Sequence, residues 1–326
     1  MNGEPLAKLS VYFGERARVG DRLLAADLLG RYERAGVLAS VLLRGVSGFG
    51  RKHHLRTDAT LTLSEDLPAL AVGVGPAVAV DALRDEIAGV LSAGLVLTEP
   101  IRLAADGDGD DVVRLTGYVG RKDRVDGQPA FVAACDLLHR RGIAGATALL
   151  GVDGSVGDGR RRARFFGRNA EVPVLLSAVT AQLDSVRPEL SALVPGALFT
   201  VEPTRLCRRD GVALADPVPA AGEWHRLTVY SSETAQFAGA PMHRELLRRL
   251  RAAGAVGATT LRGVWGFHGA LPPHGDRLLQ LGRRVPTVTT VIDTAQRLPA
   301  LYAIVADVTA ERGLVTCEPV PAPVPL

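Results

Sequence analysis

Two clusters of glycine with a basic residue recur in the sequence. They comprise Arg44, Gly45, Gly48 and Gly50 in the run LRGVSGFG, and Arg262, Gly263, Gly266 and His268 in the run LRGVWGFH. Backbone that turns at glycine exposes N–H groups, which can form a concavity for an anion. An arginine beside it can add paired hydrogen bonds to a phosphate or carboxylate. These are candidate ligand-binding residues; the alternative is that the glycines only let a strand leave by a tight turn.

Basic stretches near these clusters are a second candidate feature. One runs from Arg51 to Arg56 and includes His53 and His54; the other is GDGRRR, at 157–162. A positive loop attracts an acidic partner or a polyphosphate. Against this, all but three of the 38 basic residues are Arg, which indicates a coding bias. Few aromatic residues interleave with the charges, so the sequence does not predict binding of nucleic acid.

The sequence also leaves open a metal site and a catalytic function. His53, His54, His268 and His274 would form a metal site only if two loops converge. No GxSxG, HExxH or Walker A motif is present, and no GxGxxG follows a strand, so we expect a non-enzymatic protein. Arg44 keeps open an acyl-phosphate or phosphoryl hydrolase. Trp265 is equally compatible with a partner contact and with packing.

The composition indicates a globular protein of more than one domain. The chain has 326 residues, of which 47% are hydrophobic and 22% charged, with a formal net charge of +3. Its three cysteines form no CxxC motif, which favours a reducing compartment. The start does not resemble a secretory signal, and the most apolar window, 69–80, is too short to span a bilayer. We expect a cytoplasmic protein that is not embedded in a membrane.

One unit occurs three times along the chain. Each copy has a strand tyrosine (Tyr12, Tyr118 and Tyr230), and 24 residues later a glycine that closes the first helix (Gly36, Gly142 and Gly254). Each copy ends in Glu-Pro, at Glu99, Glu202 and Glu318. These landmarks predict repeats at 1–104, 112–206 and 223–322.

Hydrophobic periodicity predicts the elements of a unit. In the first repeat we expect strands at 9–13, 37–43, 69–74 and 95–98, a helix from Asp21 to Ala35, and a second helix from about Asp81 to Gly94. A glycine-rich loop of about twenty residues follows the second strand. The order βαββαβ is the ferredoxin-like arrangement, so we expect an α+β protein of three tandem ferredoxin-like units.

Helices on one side of a ferredoxin-like sheet leave the other face bare. In this chain the bare faces are rich in Val, Leu and Ala. Packing them together around a pseudo-threefold axis would bury all three, which predicts a monomeric intramolecular pseudo-trimer. The alternative is three independent beads joined by the linkers 104–111 and 207–223.

LRGVSGFG, followed by RTDATLTLSEDLP at 56–68, resembles the signature of domain-of-unknown-function family 190. That family is similar to the PII (GlnB-like) signalling proteins. The third repeat restates the signature, whereas LLGVDGSVG at 149–157 lacks the Arg and the Phe. Glu15 and Glu233 match the family's glutamate, but Arg121 replaces it in the second repeat.

The resemblance implies a PII-like regulatory protein. PII trimers bind adenine nucleotides and small anionic metabolites between subunits, and a long loop after the second strand contacts partners. We therefore expect an anionic ligand, above all an adenine nucleotide, in clefts between repeats, contacted by the two clusters above with Glu15 and Glu233. The protein partner would be a transporter or an ion channel. A hydrolase and a purely structural module remain the alternatives.

Overall fold

A computed structural model describes residues 4–51, 53–57, 66–106, 111–157, 172–217, 224–269, 272–275 and 285–325. Repeat 1 contains β1 (Leu6–Gly14), β2 (Arg18–Val19), β3 (Arg22–Leu23), α1 (Leu24–Arg34), β4 (Ala39–Phe49), β5 (Arg56–Thr57), β6 (Pro68–Pro76), α2 (Ala77–Ala88) and β7 (Leu95–Leu103). A short 3₁₀ helix, Ala104–Asp106, follows.

The other repeats restate this order. Repeat 2 contains β8 (Val113–Gly120), β9 (Arg124–Val125), β10 (Gln128–Pro129), α3 (Ala130–Arg140), β11 (Gly145–Leu150), β12 (Asp153–Val156), β13 (Pro173–Thr180), α4 (Leu183–Leu193) and β14 (Leu198–Pro203). The linker holds β15 (Arg205–Arg209) and β16 (Val212–Ala213). Repeat 3 contains β17 (Trp224–Ser232), β18 (Gln236–Phe237), β19 (Ala240–Pro241), α5 (Met242–Ala252), β20 (Ala258–Arg262), β21 (Trp265–His268), β22 (His274–Gly275), β23 (Pro286–Thr294), α6 (Leu298–Val308) and β24 (Leu314–Val320), and β25 (Val324–Pro325) follows.

Each repeat builds the same antiparallel four-stranded sheet. The strand orders are β4-β6-β1-β7, β11-β13-β8-β14 and β20-β23-β17-β24. The two helices of a repeat pack against one sheet face; in repeat 1, Leu9 and Val11 of β1 join Leu28 and Tyr32 of α1 in one buried cluster. The α+β class and the repeated ferredoxin-like units are therefore as predicted.

Several element boundaries differ from the prediction. The first helix starts at Leu24 rather than Asp21, because the residues before it form the β2–β3 hairpin around Gly20, whose φ is +55°. The second helix spans Ala77–Ala88, earlier than predicted at both ends. Strand β4 extends to Phe49, through the glycines assigned to a loop. The residues at the end of this longer strand pair with a strand of another repeat.

Strand pairing joins every two repeats. The end of β4 pairs with β20, β12 pairs with the start of β4, and β11 pairs with β21. Fourth strands add further links: β7 pairs with β14 and with β25, and β24 pairs with β15. A buried cluster opposite the helices contains residues of all three repeats, including Tyr118, Tyr230, Val72 and Leu175. The repeats are therefore not separate beads in this structure.

A buried network of charges also connects the three repeats. The members are one cation from each first strand and the glutamate of each Glu-Pro pair: Lys8, Arg114, Arg226, Glu99, Glu202 and Glu318. All six side chains are less than a tenth exposed. Three positive and three negative charges balance, so no net charge is buried.

The linker between repeats 2 and 3 carries structure that the sequence reading did not predict. Within it, β15 and β16 form a hairpin whose turn is Asp210-Gly211, with φ of +48° and +84°. An Asp-Gly turn with both φ values positive is typical of two-residue hairpin loops. Among the described helices, none is long and apolar enough to cross a membrane.

Candidate functional site

A cleft with a volume of about 430 Å³ opens between repeats 1 and 3. Repeat 1 contributes the end of β1, the end of β4 with the chain that follows it, and the turn before β7. Repeat 3 contributes the start of β17, the segment 256–259 and part of β23. The pairing of β4 with β20 forms the floor that joins the two sides, since Phe49 lies opposite Ala258. The cleft therefore exists only because the two repeats pair.

One wall of the cleft is organised by Asp66. Its carboxylate accepts a hydrogen bond from the Arg16 backbone N–H at 2.8 Å and forms a 2.8 Å salt bridge with Arg56. Gly14 permits this arrangement, because a Cβ at that position would lie 2.2 Å from the Asp66 carboxylate. Arg56 and Asp66 are thus both held against the end of β1.

Aromatic and apolar side chains form another part of the lining. Tyr12, Phe49 and Trp224 lie on the cleft together with Leu95 and Ile292. The half-buried Trp224 packs on the small cluster that includes Ile292, as does Tyr12. Burial raises the pKa of Tyr12 to about 12, so its hydroxyl stays protonated at neutral pH. These rings offer a flat, apolar surface.

The charges in the lining are predominantly positive. Arg16, Arg51 and Arg56 line the cleft against a single aspartate, Asp66, and His54 lies beside them. A cleft that combines an apolar ring-binding surface with cationic groups suits a ligand that has a flat ring and an anionic group.

The structure brings some predicted residues to this cleft. Gly48 and Gly50 line it. Arg44 and Glu15 lie outside the lining and form a salt bridge with each other, with Nε 2.6 Å from Oε2. Arg262 and Glu233 form the equivalent pair in repeat 3.

Repeat 2 lacks both partners of this ion pair. Leu150 stands where the other repeats have Arg44 and Arg262, and Arg121 stands where they have Glu15 and Glu233. The two positions have changed together, which the pairing in the other repeats explains. Whether these residues contact a ligand stays a prediction.

The glycine spacing that recurs between repeats has a packing reason. A Cβ on Gly45 or Gly263 would lie 2.7 Å from the ring of Pro68 or Pro286, respectively. On Gly48 it would lie 2.6 Å from the Ala258 carbonyl oxygen. On Gly266 it would lie 2.3 Å from the Ala146 carbonyl oxygen. Gly48 and Gly266 thus let strands of different repeats approach, and Gly45 and Gly263 leave room for a proline of their own repeat.

His268 occupies the seam between repeats 3 and 2, away from the open cleft. Its side chain is buried, and neither ring nitrogen has a hydrogen-bond partner among the described residues. Burial lowers the pKa of His268, against the opposing effect of Asp210. The turn Asp210-Gly211 reaches this seam: a Cβ on Gly269 would overlap the Asp210 carboxylate.

The histidines do not form a metal site in the part of the chain that is described. No group of three or more His, Cys, Asp or Glu side chains is arranged there to hold a metal ion. His53 stacks on Phe49, and His274 lies 3.0 Å from the Pro272 carbonyl oxygen. Trp265 packs against the core of repeat 2 and lies close to Gly275. Lys52 and 158–162 of the basic stretches lie outside the described residues.

Sequence reasoning missed most of the cleft. Arg16, Asp66 and Trp224 lie far apart in sequence and in no motif, so no local pattern points to them. One available signal was Trp224, one of two tryptophans, placed where an apolar first strand begins.

The comparisons with known proteins address the repeats directly. The family model DUF190, described as "Uncharacterized ACR", matches at residues 6–103, 112–206 and 224–322. The chain belongs to the DUF190 family. The resemblance seen in the sequence is thereby confirmed, as is the presence of three tandem copies. This family description assigns no ligand or activity to the DUF190 chain.

Two individual proteins are similar to this DUF190 chain. One is a UPF0166 protein of Aquifex aeolicus (strain VF5), 29% identical over 94 residues, which are 29% of this chain and 88% of the relative. The alignment therefore spans about one repeat. The other is a crystal structure of aspartate kinase from Synechocystis, with 11% identity, a TM-score of 0.25, and coverage of 97% of this chain and 43% of the kinase chain.

Proposed function

We propose that this DUF190 chain is a non-enzymatic, PII-like regulatory protein that binds an adenine nucleotide in the cleft between repeats 1 and 3. The observation that carries the proposal is the lining of the cleft: aromatic rings at one part and three arginines at another. The rings suit the base, and the arginines suit the phosphates. The volume of about 430 Å³ falls in the range of small-molecule sites.

The proposal includes an intramolecular pseudo-trimer. It is supported by strand pairing between each two repeats and by the charge network that all three share. One chain would then supply the inter-subunit clefts that a homotrimer of single units supplies. Three free, buried cysteines support a reducing, cytoplasmic location.

The loop after β4 connects the cleft to the surface. Arg51, His54 and Arg56 line the cleft, and Leu55 in the same segment is an exposed apolar side chain. A ligand that contacts the arginines would therefore also order the segment that carries Leu55. We propose that this loop reports occupancy to a partner protein, a transporter or an ion channel.

Calorimetric titration of the full chain with ATP, ADP and AMP tests the binding. We expect saturable binding that weakens as phosphates are removed, and a rise in Tm with ligand excess. Trp224→Ala and Arg56→Ala should each weaken binding at least tenfold, whereas Arg84→Ala, on the exposed face of α2, should not change it. An assay of phosphate release on the same samples distinguishes a binding protein, which releases none, from a hydrolase.

Turnover that disappears in Arg44→Ala would favour the hydrolase alternative. Absence of both binding and turnover would favour a structural module.

A further inference from the structure

The turn of the β15–β16 hairpin lies at the seam between repeats 3 and 2. This seam corresponds to the open cleft between repeats 1 and 3. The correspondence between seams follows from strand register. Phe49 lies opposite Ala258 across the seam of repeats 1 and 3, and Phe267 lies opposite Ala146 across the seam of repeats 3 and 2. Two residues beyond each phenylalanine stand Arg51 and Gly269. Arg51 and Gly269 are therefore equivalent positions.

The tip of the β15–β16 hairpin lies against the repeat 3 side of the second seam. The Asp210 N–H donates to the Gly313 carbonyl at 2.8 Å, and a Cβ on Gly211 would lie 2.5 Å from the Ala310 carbonyl oxygen and 3.3 Å from Cα of Glu311. The Asp210 carboxylate itself lies against Gly269.

Three of the four residues that the tip touches correspond to residues in the lining of the open cleft. Counted back from Glu318 and Glu99, Gly313 matches Gly94 and Glu311 matches Ser92. Gly94 and Ser92 line the open cleft, and so does Arg51, the equivalent of Gly269.

The strand that carries the tip has an equivalent in the open cleft too. Arg208 and Arg209 of β15 pair with Val315 and Leu314 of β24. In the same register, Val324 and Pro325 of β25 pair with Val96 and Leu95 of β7. Two corresponding strands thus approach the two clefts, and in the second seam Asp210-Gly211 extends into the space.

We propose that Asp210 stands in for the anionic group of a ligand, so that its hairpin closes the cleft between repeats 3 and 2. By the same correspondence, Arg51 is the residue that meets the ligand's anionic group in the open cleft, where Gly269 meets Asp210 in the closed one. This inference rests on the proposed function for the identity of the ligand. The closure itself does not depend on it.

Histidine labelling with diethyl pyrocarbonate, mapped by mass spectrometry, tests the closure. His268 lies buried in the closed seam, and the exposed His54 lies in the open cleft. Gly211→Val displaces the tip, because φ is +84° and the added Cβ meets Ala310. Gly127→Val is the matched control: it is also the Gly of an Asp-Gly turn, at φ +82°, with nothing within 4 Å of the added Cβ.

We expect His268 to react at least tenfold more slowly than His54 in the wild type and in Gly127→Val, and to become reactive in Gly211→Val. ATP should slow labelling of His54 in all three proteins. It should slow labelling of His268 in Gly211→Val alone, and only at an ATP concentration at least tenfold higher, because that seam has Gly269 where the open cleft has Arg51. Arg51→Ala as a single substitution should raise the ATP concentration needed to protect His54 at least tenfold.

The remaining outcomes separate the two proposals. Equal reactivity of His268 in the wild type and in Gly211→Val would overturn the closure. Reactive His268 that ATP does not protect in Gly211→Val, while His54 is protected, would overturn the stand-in role of Asp210. If ATP protects no histidine in any protein but His268 behaves as expected, the closure stands and nucleotide binding fails.

Discussion

The Lys8 ammonium of repeat 1 lies 2.5 Å from the Glu202 carboxylate of repeat 2, in the buried interior where the repeats meet. Arg114 of repeat 2 reaches Glu318 of repeat 3 at 2.6 Å, and Arg226 of repeat 3 reaches Glu99 of repeat 1 at 2.7 Å. Each cation therefore contacts the glutamate of the next repeat, and the three contacts form a closed ring.

Removing one cation from this ring should destabilise the whole chain. We expect Lys8→Met to lower the free energy of unfolding by about 3–5 kcal/mol, because Glu202 keeps its charge in a buried site and loses its closest cation. Urea denaturation measures the change. Arg84→Met, which removes an exposed cation paired with Asp81 and Asp85, should cost about 0–1 kcal/mol. Equal losses of unfolding free energy in the two variants would show that the buried ring contributes no more to stability than an exposed ion pair.

The first repeat alone has lysine in the ring, and this leaves polar atoms without partners. Arg114 donates to Tyr230, Thr228 and Thr316 as well as to Glu318. Around Lys8, the corresponding atoms of repeat 2 are buried without a hydrogen-bond partner among the described residues; they are Tyr118 Oη, Thr200 Oγ1 and Glu202 Oε1.

Lys8→Arg should satisfy these atoms and stabilise the protein. An unsatisfied buried polar atom costs about 1–3 kcal/mol, so we expect a gain of about 1 kcal/mol in the free energy of unfolding. Thermal and urea denaturation of the variant and the wild type measure it. A loss of stability would show that the space beside Lys8 cannot hold a guanidinium.

The ring also predicts how stability depends on pH. Burial raises the pKa of Glu202, but Lys8, Arg226 and Arg114 outweigh it and hold that pKa at about 2, below the ordinary 4.5. Burial also raises the pKa of Glu318, but Arg114 and Arg226 outweigh it and lower that pKa. A lowered pKa in the folded state stabilises the fold above the ordinary pKa, and the contribution is lost as pH falls toward the folded value.

We therefore expect the free energy of unfolding to fall steeply as pH drops from 4.5 toward 2. Urea denaturation across this range checks it. Glu202→Gln, which removes one of the two titrating carboxyls, should show a shallower slope. If unfolding free energy falls with pH as steeply in Glu202→Gln as in the wild type, Glu202 is not a source of the pH dependence.

Glycine at the inter-repeat strand pairs should not tolerate a side chain. At Gly154, φ is +144° and a Cβ would lie 2.1 Å from the Ser40 carbonyl oxygen, where β12 meets β4. Gly154→Ala should destabilise the chain by about 1–3 kcal/mol through overpacking. Gly157→Ala also has positive φ, at +65°, but meets nothing within 4 Å, so it isolates the effect of the close approach. Equal effects on the Tm would refute the packing role.

The sequence predicted more of the fold than of the candidate site. Tyr12, Tyr118 and Tyr230 and the Glu-Pro pairs revealed the period, and local periodicity then predicted the order of strands and helices. Boundaries failed where another repeat sets them: β4 extends to Phe49 because Ala258 and its neighbours pair with it. No local pattern contains that information.

The charge ring illustrates a signal that was present and not used. Lys8, Arg114 and Arg226 each stand four residues before the strand tyrosine. Since side chains alternate along a strand, the cation and the tyrosine share the face opposite the helices. The cleft offered only the single Trp224 as a signal, because its lining residues, Asp66 and Trp224 among them, come to one cleft only through tertiary packing.

Hydrogen exchange of the full chain with and without ATP tests the central claim most directly. The account predicts that ATP slows exchange in residues 12–17, 53–57 and 92–95, which border the cleft between repeats 1 and 3, and leaves the hairpin of β15 and β16 unchanged. Protection confined to other segments, or none at saturating ATP, would contradict it.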